Sequence, residues 1–318
     1  MTVHIICAVF NGARFLPEFL QSLDAQTHAD WRLWVRDDGS ADTTPHIIRD
    51  AASRDPRVCL VHTGGPQLGA AGAFGWLLDQ LPADAEYVMC ADQDDVWLPL
   101  KIEATLAAMR DAEREGRTPA RGAVLVHTDL SVVDDALRLV HPSFWTFAGI
   151  EPEPVSLRRF AVRNVVTGAT VMINRPLREL IGSPPPEAIF HDWWFSLVAA
   201  ALGRVVSIRR ATVLYRQHTA NTVGARDSRI RLRELPRAIV AGLNTASNFR
   251  QGVEKTAAQA SAFLDRYGHR MTADDRRFLR EYSDIPRHSF LRRKFALLRL
   301  RALPEHGLLR TLGILVRG

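Results

Sequence analysis

The first 130 residues alternate short apolar runs with segments in which apolar residues recur every three or four positions. Apolar runs bounded by polar turns are typical of buried strands, and the three-to-four spacing is typical of amphipathic helices. The predicted strands are Val3–Val9, Trp31–Arg36, Val58–His62, Tyr87–Ala91 and Val124–His127. The predicted helices are Phe15–Gln26, Pro45–Ala52, Ala73–Leu81 and Leu100–Glu115. This alternation predicts an α/β fold, with a mostly parallel, Rossmann-like sheet flanked by helices.

The regular alternation ends near Leu130, where prolines begin to interrupt the pattern. The later predicted strands are Val171–Asn174, Val205–Ile208 and Thr212–Tyr215. A helix is predicted at Trp193–Leu202, and after Ala225 the pattern is almost entirely helical. We therefore predict an α/β domain over residues 1–224 and a helical, basic C-terminal region over residues 225–318.

Charge separates the same two regions. Residues 225–318 carry 20 Lys and Arg against 9 Asp and Glu, whereas residues 1–224 carry 21 against 26. A basic region on a slightly acidic body indicates an anionic partner, and the alternative is a solvated helical face. Leu291–Leu300 has the pattern of a basic amphipathic helix, and Gly307–Val316 is a short apolar tail. Such segments either contact a membrane surface or pack on the body of the protein.

Cysteine usage and hydropathy bear on the compartment. Cys7, Cys59 and Cys90 each lie in a predicted strand and form no Cys-x-x-Cys pair, so we expect buried thiols in a reducing compartment. No apolar run approaches the roughly 18 residues of a membrane-spanning helix, and Val3–Val9 is too short for a signal peptide. We expect a cytoplasmic protein, or one held at the inner face of a membrane by surface contact alone.

The most informative motif is Asp92-Gln93-Asp94-Asp95, which directly follows a predicted buried strand. Open α/β sheets bind their ligands at the carboxyl ends of the strands. Clustered carboxylates repel one another unless a cation offsets their charge, and oxygen ligands suit Mg²⁺ or Mn²⁺. The alternative interpretation is a solvated acidic turn or a helix N-cap.

Two other predicted strands end in polar clusters. These clusters are Asn11-Gly12 and Asp37-Asp38-Gly39-Ser40. Because parallel strands end at the same edge of a sheet, we expect both clusters to lie beside the acidic motif. Carboxylates accept hydrogen bonds from the N–H of a base and from ribose hydroxyls, so the edge is suited to a nucleoside diphosphate.

On these motifs the chain resembles the family 2 glycosyltransferases, which have the GT-A fold, and most of all their rhamnosyltransferase-like branch. The matching segments are Ala8–Gly12, Asp37–Ser40, Asp92–Trp97, His191–Trp194 and Tyr215–His218. They cover about the first 220 residues, and the last hundred carry no motif that we assign. The resemblance implies an inverting transfer from a nucleotide-sugar donor, such as a dTDP-deoxysugar or a UDP-hexose, to a glycan or lipid-linked acceptor in cell-surface polysaccharide synthesis.

The resemblance also implies roles for individual residues. Donor-binding residues would be Val9, Asn11, Asp37, Asp38, Asp92, Gln93 and Arg216. Asp94 and His218 would bind Mg²⁺ or Mn²⁺, and Asp192 would be the catalytic base. Acceptor-binding residues would be Trp97, Trp193 and Trp194. Alternatives remain for several: a helix N-cap for Asp192, a surface loop residue for His218, a surface arginine for Arg216, and core packing for the tryptophans.

The chain also departs from the pattern that the resemblance implies. It has Gln67-Leu68-Gly69 where many relatives carry an asparagine that contacts the donor, and His191 where many carry an acidic residue. Histidine titrates near neutrality, so His191 would alter the acceptor site or the pH profile. Two other classes compete with the glycosyltransferase interpretation: a nucleotidyltransferase of similar architecture, and a non-catalytic anion-binding or nucleic-acid-binding protein. Nucleic acid is not the expected partner, because the chain lacks a recognisable nucleic-acid motif.

Overall fold

The computed structural model describes residues 1–64, 66–115, 122–153, 155–218 and 235–300. Its strands are β1 (Val3–Val9), β2 (Trp31–Asp37), β3 (Val58–Thr63), β4 (Tyr87–Ala91), β5 (Val96–Trp97), β6 (Val124–Val133), β7 (Leu139–His141), β8 (Met172–Asn174) and β9 (Arg204–Arg216). Its α-helices are α1 (Leu16–Asp24), α2 (Thr44–Arg54), α3 (Gly69–Gln80), α4 (Lys101–Arg114), α5 (Phe144–Ala148), α6 (Leu157–Val162), α7 (Arg175–Ile181), α8 (His191–Leu202), α9 (Leu235–Tyr267), α10 (Ala273–Ser283) and α11 (Phe290–Arg299).

The strands form one sheet in the order β3-β2-β1-β4-β8-β6-β9-β5, and β7 pairs with β6 outside this path. Strands β3, β2, β1 and β4 run parallel to their neighbours. Strand β8 is antiparallel to both β4 and β6, whereas β9 runs parallel to β6. The predicted α/β fold is confirmed, and antiparallel pairs are confined to the second half of the sheet and to its edge.

Strand β9 differs from its prediction, because one strand replaces the two expected at Val205–Ile208 and Thr212–Tyr215. The polar residues Arg209 and Arg210 lie between the two predicted strands. In the structure the register with β6 shifts there, from Thr128 opposite Ile208 to Asp129 opposite Ala211. The irregularity accommodates the two exposed arginines without ending the strand.

The sheet separates two hydrophobic layers. Ile5 and Ile6 of β1 are both fully buried and belong to different layers, because successive side chains in a strand point to opposite faces. Helices α1, α2 and α4 cover the face to which Ile5 points. Helices α3, α6, α7, α8, α9, α10 and α11 contribute to the layer around Ile6. These two layers hold the sheet in place, and the candidate site lies at the edge formed by the carboxyl ends of β1, β2 and β4.

All three cysteines are free thiols. Cys7 in β1 and Cys90 in β4 are buried as expected, whereas Cys59 is half-buried because β3 is an edge strand. Burial raises the pKa of the Cys7 and Cys90 thiols well above the ordinary value, so both stay protonated and unreactive.

The described part of the C-terminal region packs on the α/β body. The ring of Trp194 in α8 lies 5.4 Å from that of Phe263 and 6.1 Å from that of Tyr267, both in α9. The predicted boundary at residue 224 and the predicted tail Gly307–Val316 both lie outside the described residues, so the two-domain division stays a prediction. Across the residues that the structure describes, every helix is too short or too polar to cross a membrane.

Candidate active site

The carboxyl ends of β1, β2 and β4 lie side by side. Val9 at the end of β1 is opposite Asp37 at the end of β2, and Cys7 is opposite Ala91 at the end of β4. The backbone N–H of Asp38 donates to the Val9 carbonyl at 2.8 Å. The expectation that the three polar clusters share one edge of the sheet is therefore confirmed.

Asn11 joins the loop after β1 to the loop after β2. Its backbone N–H donates to Ser40 Oγ at 2.8 Å, and its side-chain Oδ1 accepts from the N–H of Ala41 at 2.8 Å. Its φ of 47° is left-handed, a conformation that asparagine tolerates better than most residues. The side chain thus orders the edge, and its predicted contact with a donor stays a prediction.

Gln93 lies in the acidic loop, Asp92–Asp95, and joins this loop to the loop after β1. Its Oε1 accepts from Phe10 N–H at 3.0 Å, and its Nε2 donates to the Phe10 carbonyl at 2.9 Å. A Cβ at Gly12 would lie 2.2 Å from Gln93 Oε1, so a larger residue at this position would displace the Gln93 amide from these hydrogen bonds. Gln93 fixes the position of the loop that carries Asp92 and Asp94, and its own contact with a donor stays a prediction.

Asp37 and Asp38 have different surroundings. Asp37 accepts from Ser40 N–H at 3.2 Å and from Thr63 Oγ1 at 3.3 Å. Asp38 accepts from the backbone N–H groups of Leu68 and Gly69 at 3.0 to 3.1 Å and pairs with the buried Arg36 at 3.2 Å. Asp38 therefore anchors the start of α3, a role that the sequence did not indicate. Donor contacts by either carboxylate stay predictions.

The acidic loop brings like charges together in a poorly solvated place. Burial and the neighbouring carboxylates Asp94 and Asp192 raise the pKa of Asp92 to about 7. Burial and its acidic neighbours also raise the pKa of Asp95, whose Oδ1 accepts from Arg216 N–H while its Oδ2 has no partner among the described residues. Such an arrangement costs free energy unless a cation is bound nearby.

Asp94 and His218 form a candidate metal-binding pair. Asp94 Oδ2 lies 2.8 Å from His218 Nε2, and the two side chains are 19% and 11% exposed. The imidazole ring packs against Phe15 at 4.7 Å, so His218 is not a free surface residue. No group of three or more His, Cys, Asp or Glu side chains is placed to hold an ion within the described residues. The Asp94 carboxylate nevertheless suits Mg²⁺ or Mn²⁺, because Mg²⁺ is commonly bound by one or two carboxylates together with water and substrate phosphate oxygens, and the metal contact of His218 stays a prediction.

Asp192 stands in the first turn of α8. Phe190 occupies the N-cap position, so the interpretation of Asp192 as the N-cap is wrong. Its carboxylate accepts from Trp193 N–H at 2.7 Å, and also from the Gly168 N–H and the Asn164 side chain. Burial outweighs these hydrogen bonds and raises the pKa of Asp192 to about 6. The charge of Asp192 raises the pKa of Asp92, which indicates that the predicted base lies near the acidic loop.

The three tryptophans predicted at the acceptor site differ. Trp97 is 1% exposed and packs edge-on against Phe19, and Trp194 is 0% exposed in the layer under α9. A platform for a sugar ring needs an accessible face, so the acceptor role predicted for both is wrong and both are core residues. Trp193 is half-buried and its Nε1 donates to the Phe160 carbonyl, so its acceptor contact stays a prediction.

Arg216 also differs from its prediction. Its side chain is 2% exposed, and its guanidinium donates to the Asp94 carbonyl, the Asp135 carbonyl and the Glu18 carboxylate. All three nitrogens therefore bind protein oxygens, so the guanidinium is not open to the donor that it was predicted to bind, and the alternative of a surface arginine is also wrong. The side chain instead fixes the end of β9 to the acidic loop.

His191 does not titrate near neutrality, contrary to the expectation from the sequence. Its ring stacks on Phe74 at 3.7 Å and both ring nitrogens lack partners among the described residues. Burial lowers the pKa of His191 to about 3. A Cβ at Gly168 would lie 2.7 Å from His191 Nε2, so the imidazole occupies space that only a glycine leaves open.

Residues 4–172 match the family model described as Glycosyl transferase family 2. This match covers more than half of the chain and includes β1, the loop after β2 and the acidic loop. The chain belongs to glycosyl transferase family 2. Asp192 and His218 lie beyond the matched residues, so the family match does not itself test their predicted roles.

Curated relatives are consistent with this family. A dTDP-rhamnosyl transferase RfbG of Shigella flexneri is 24% identical over 229 residues, which are 69% of this chain and 73% of that protein. The putative teichuronic acid biosynthesis glycosyltransferase TuaG of Bacillus subtilis is 28% identical, over 54% of this chain and 62% of that protein. The UDP-Glc:alpha-D-GlcNAc-diphosphoundecaprenol beta-1,3-glucosyltransferase WfgD of Escherichia coli is 32% identical, over 34% of this chain and only 40% of that protein.

Solved structures agree on the fold. The crystal structure of S. aureus TarS has a TM-score of 0.54 at 15% identity, covering 99% of this chain and 50% of that chain. A TarS 1–349 structure in complex with UDP-GlcNAc has a TM-score of 0.53 at 16% identity, covering 99% of this chain and 84% of that chain. The predicted GT-A fold is confirmed at the level of overall architecture.

Two side chains near the candidate active site were not identified from the sequence. Lys101 begins α4, is fully buried over the Trp97 ring at 4.6 Å, and has a pKa that burial lowers to about 7 although Asp95 opposes the shift. Asn164 hydrogen-bonds Asp192 while its own Oδ1 accepts from Val166 N–H at 3.0 Å. A lysine in an amphipathic helix and an asparagine in a loop are usually exposed, so only the packing identifies them.

Proposed function

We propose that this chain is an inverting, metal-dependent glycosyltransferase that moves a sugar from a nucleotide-diphosphate donor to a hydroxyl of a glycan or lipid-linked acceptor in cell-surface polysaccharide synthesis. The observation that carries the proposal is the position of Asp192 beside the end of β4. Its carboxylate accepts from the Gly168 N–H, and the nearby Val171 carbonyl accepts at 3.2 Å from the N–H of Cys90, two residues before Asp92. An inverting transferase needs a base near a site for a nucleoside diphosphate, and we propose Asp192 and the residues at the ends of β1, β2 and β4 for these two roles.

Asp192 is the proposed catalytic base. Its pKa of about 6 makes its carboxylate a stronger base than an ordinary aspartate, and the group is still mostly ionised at pH 7. The acceptor hydroxyl oxygen attacks the anomeric carbon while its proton passes to the Asp192 carboxylate. The bond from that carbon to the diphosphate oxygen breaks, and the nucleoside diphosphate leaves with the bonding electrons. Attack opposite the leaving group inverts the anomeric configuration.

Asp94 and His218 are the proposed holders of a divalent ion. When bound there, Mg²⁺ or Mn²⁺ would neutralise negative charge on the departing diphosphate. Asp37, Asp92 and the backbone near Val9 line the adjoining sheet edge, where the nucleoside is proposed to bind. Gln93 and Arg216 support this edge through the contacts described above and do not need to contact the donor.

The donor is proposed to be a dTDP-deoxysugar such as dTDP-rhamnose, or a UDP-hexose. The first is supported by the likeness to RfbG, named a dTDP-rhamnosyl transferase, and the second by the likeness to WfgD, whose name gives UDP-Glc as the donor. The name of WfgD also describes a lipid-linked acceptor. An acceptor of that kind would meet the enzyme at a membrane surface.

The proposal is tested by incubating the full chain with UDP-sugars and dTDP-sugars, with Mn²⁺, Mg²⁺ or a chelator. Release of UDP or dTDP from one donor, abolished by chelation, is the expected result. An Asp111→Asn variant is the matched control for the Asp→Asn variants of the site, because among the described residues this exposed carboxylate on α4 pairs with Arg114 alone. Pyrophosphate release from a nucleoside triphosphate would instead indicate a nucleotidyltransferase, and binding without turnover would indicate an anion-binding protein.

A further inference from the structure

Helix α11 has apolar side chains on two opposite faces. Ala296 and Leu297 are 7% and 2% exposed and belong to the hydrophobic layer shared with α8 and α9. Leu291, Phe295 and Leu298 are 76%, 69% and 48% exposed. Residues spaced at i, i+4 and i+7 lie on one side of a helix, so these three form a single outward apolar face.

This grouping differs from the other exposed apolar residues of the described chain. Those residues are Met1, Phe10, Leu68, Leu100, Leu139 and Val140. Single exposed apolar side chains are ordinary, whereas several on one face mark an interaction surface. Among the residues whose side-chain exposure the structure describes, which leave out the first half of α9, three exposed apolar residues on one helix face occur only in α11.

Charge indicates what covers this face. Residues 289–318 contain seven Lys and Arg and a single Glu. Arg292 and Arg299 are exposed and lie seven residues apart on the flank of the apolar face, and Arg299 also reaches Glu281. An apolar face bordered by arginines is complementary to a surface that is apolar beneath a layer of negative charge. A second copy of the same basic face would be repelled.

We propose that α11 docks on an anionic phospholipid surface, with Leu291, Phe295 and Leu298 entering the interface and the flanking arginines contacting lipid phosphates. Helix α11 lies in this surface and does not cross it. The buried side of α11, through Leu297, holds the α/β body against the membrane. This inference goes beyond the proposed transferase activity and stands whether or not that activity is found.

The test measures partitioning of the full chain onto vesicles by co-sedimentation. Vesicles of phosphatidylglycerol with phosphatidylcholine are compared with vesicles of phosphatidylcholine alone, at low and high salt. The triple variant Leu291→Ser, Phe295→Ser, Leu298→Ser removes the apolar face without touching the core. The double variant Leu139→Ser, Val140→Ser is the matched control, because it removes exposed apolar residues from β7. Circular dichroism and Tm establish that each variant is folded.

Wild type and the β7 control are expected to bind the anionic vesicles, and high salt should weaken that binding. The triple variant should bind roughly tenfold or more weakly, since interfacial binding scales with buried apolar area. The proposal is overturned if wild type fails to bind anionic vesicles, or if the triple variant binds as tightly as wild type. It is also overturned if light scattering shows a wild-type dimer that the triple variant converts to a monomer without a change in vesicle binding. Neither donor nor acceptor is present, so these outcomes are independent of the transferase proposal.

Discussion

The charged groups at the acidic edge of the sheet, where the acidic loop and Asp192 lie, differ in solvation from those on the basic face of α11. At the edge, Asp92, Asp95 and Asp192 are poorly solvated, and their pKa values are raised. On α11, Arg292 and Arg299 are solvated beside exposed apolar side chains. Buried like charges destabilise the ligand-free chain and are expected where a ligand offsets them, whereas surface charges cost little and act on partners at a distance.

The largest expected effect comes from removing the base at the acidic edge. Asp192→Asn keeps the shape of the side chain but cannot accept the acceptor proton, so we expect the transfer rate to fall by about 10² to 10⁴. Binding of the nucleotide should change little, because the base acts on the acceptor. The measurement is the rate of sugar transfer with the donor that the nucleotide-release assay identifies. A rate within threefold or so of wild type would remove Asp192 from the mechanism.

The second prediction contrasts the packed and the open parts of the C-terminal region. Phe263→Ala in α9 removes a fully buried ring from contact with Trp194 and Tyr267, and should lower the free energy of unfolding by about 3–5 kcal/mol. Leu298→Ala in α11 removes an exposed side chain and should change it by less than about 0.5 kcal/mol. Urea unfolding of the two variants measures both. Equal effects would show that α9 does not pack on the body as described.

The ends of strands β1, β2 and β4, and the sheet edge that these ends share, could be predicted from the sequence because apolar runs and polar turns are local signals. The choice between core packing and acceptor contact for Trp97 and Trp194, and the burial of Arg216, could not be predicted, because tertiary packing decides which face of an aromatic or a cation is covered. The role of Asp38 in anchoring α3 could not be predicted for the same reason, because its partners Leu68 and Gly69 lie about thirty positions further along the chain. Two strands were predicted in place of β9, because Arg209 and Arg210 interrupt the apolar pattern and the bulge against β6 that accommodates them is not a local signal.

The third prediction concerns pH. The folded-state pKa of Asp192, about 6, lies above its ordinary value of 3.8, so the folded chain holds this proton more tightly than the unfolded chain. The resulting stabilisation is present below pH 4 and is lost as pH rises through about 6. Unfolding measured between pH 4 and 7 should show this loss, and Asp192→Asn should reduce it. The rate of transfer should rise with pH through the same range, because only the ionised carboxylate accepts a proton. An Asp192→Asn variant with the wild-type dependence would contradict the assignment.

The smallest expected effect is at Asn164. Its side chain hydrogen-bonds the ionised form of Asp192, so Asn164→Ala should raise the pKa of Asp192 further and move the rate profile to higher pH. At pH 6 the rate should fall severalfold, and at pH 8 it should approach that of wild type. A uniform loss at every pH would mean that Asn164 only supports the loop.

We propose that the carboxyl ends of β1, β2 and β4 bind a nucleoside diphosphate through Asp94 together with a metal. The most direct test is thermal unfolding of wild type, Asp94→Asn and Asp192→Asn with UDP, dTDP, GDP or CDP, with and without Mn²⁺. Binding at a hundredfold excess over Kd adds about 2.7 kcal/mol of stability, which Tm reports readily. We predict a rise in Tm with one nucleotide that requires Mn²⁺, persists in Asp192→Asn and is lost in Asp94→Asn. A rise that is independent of the metal and of Asp94, or no rise with any nucleotide, would contradict the account.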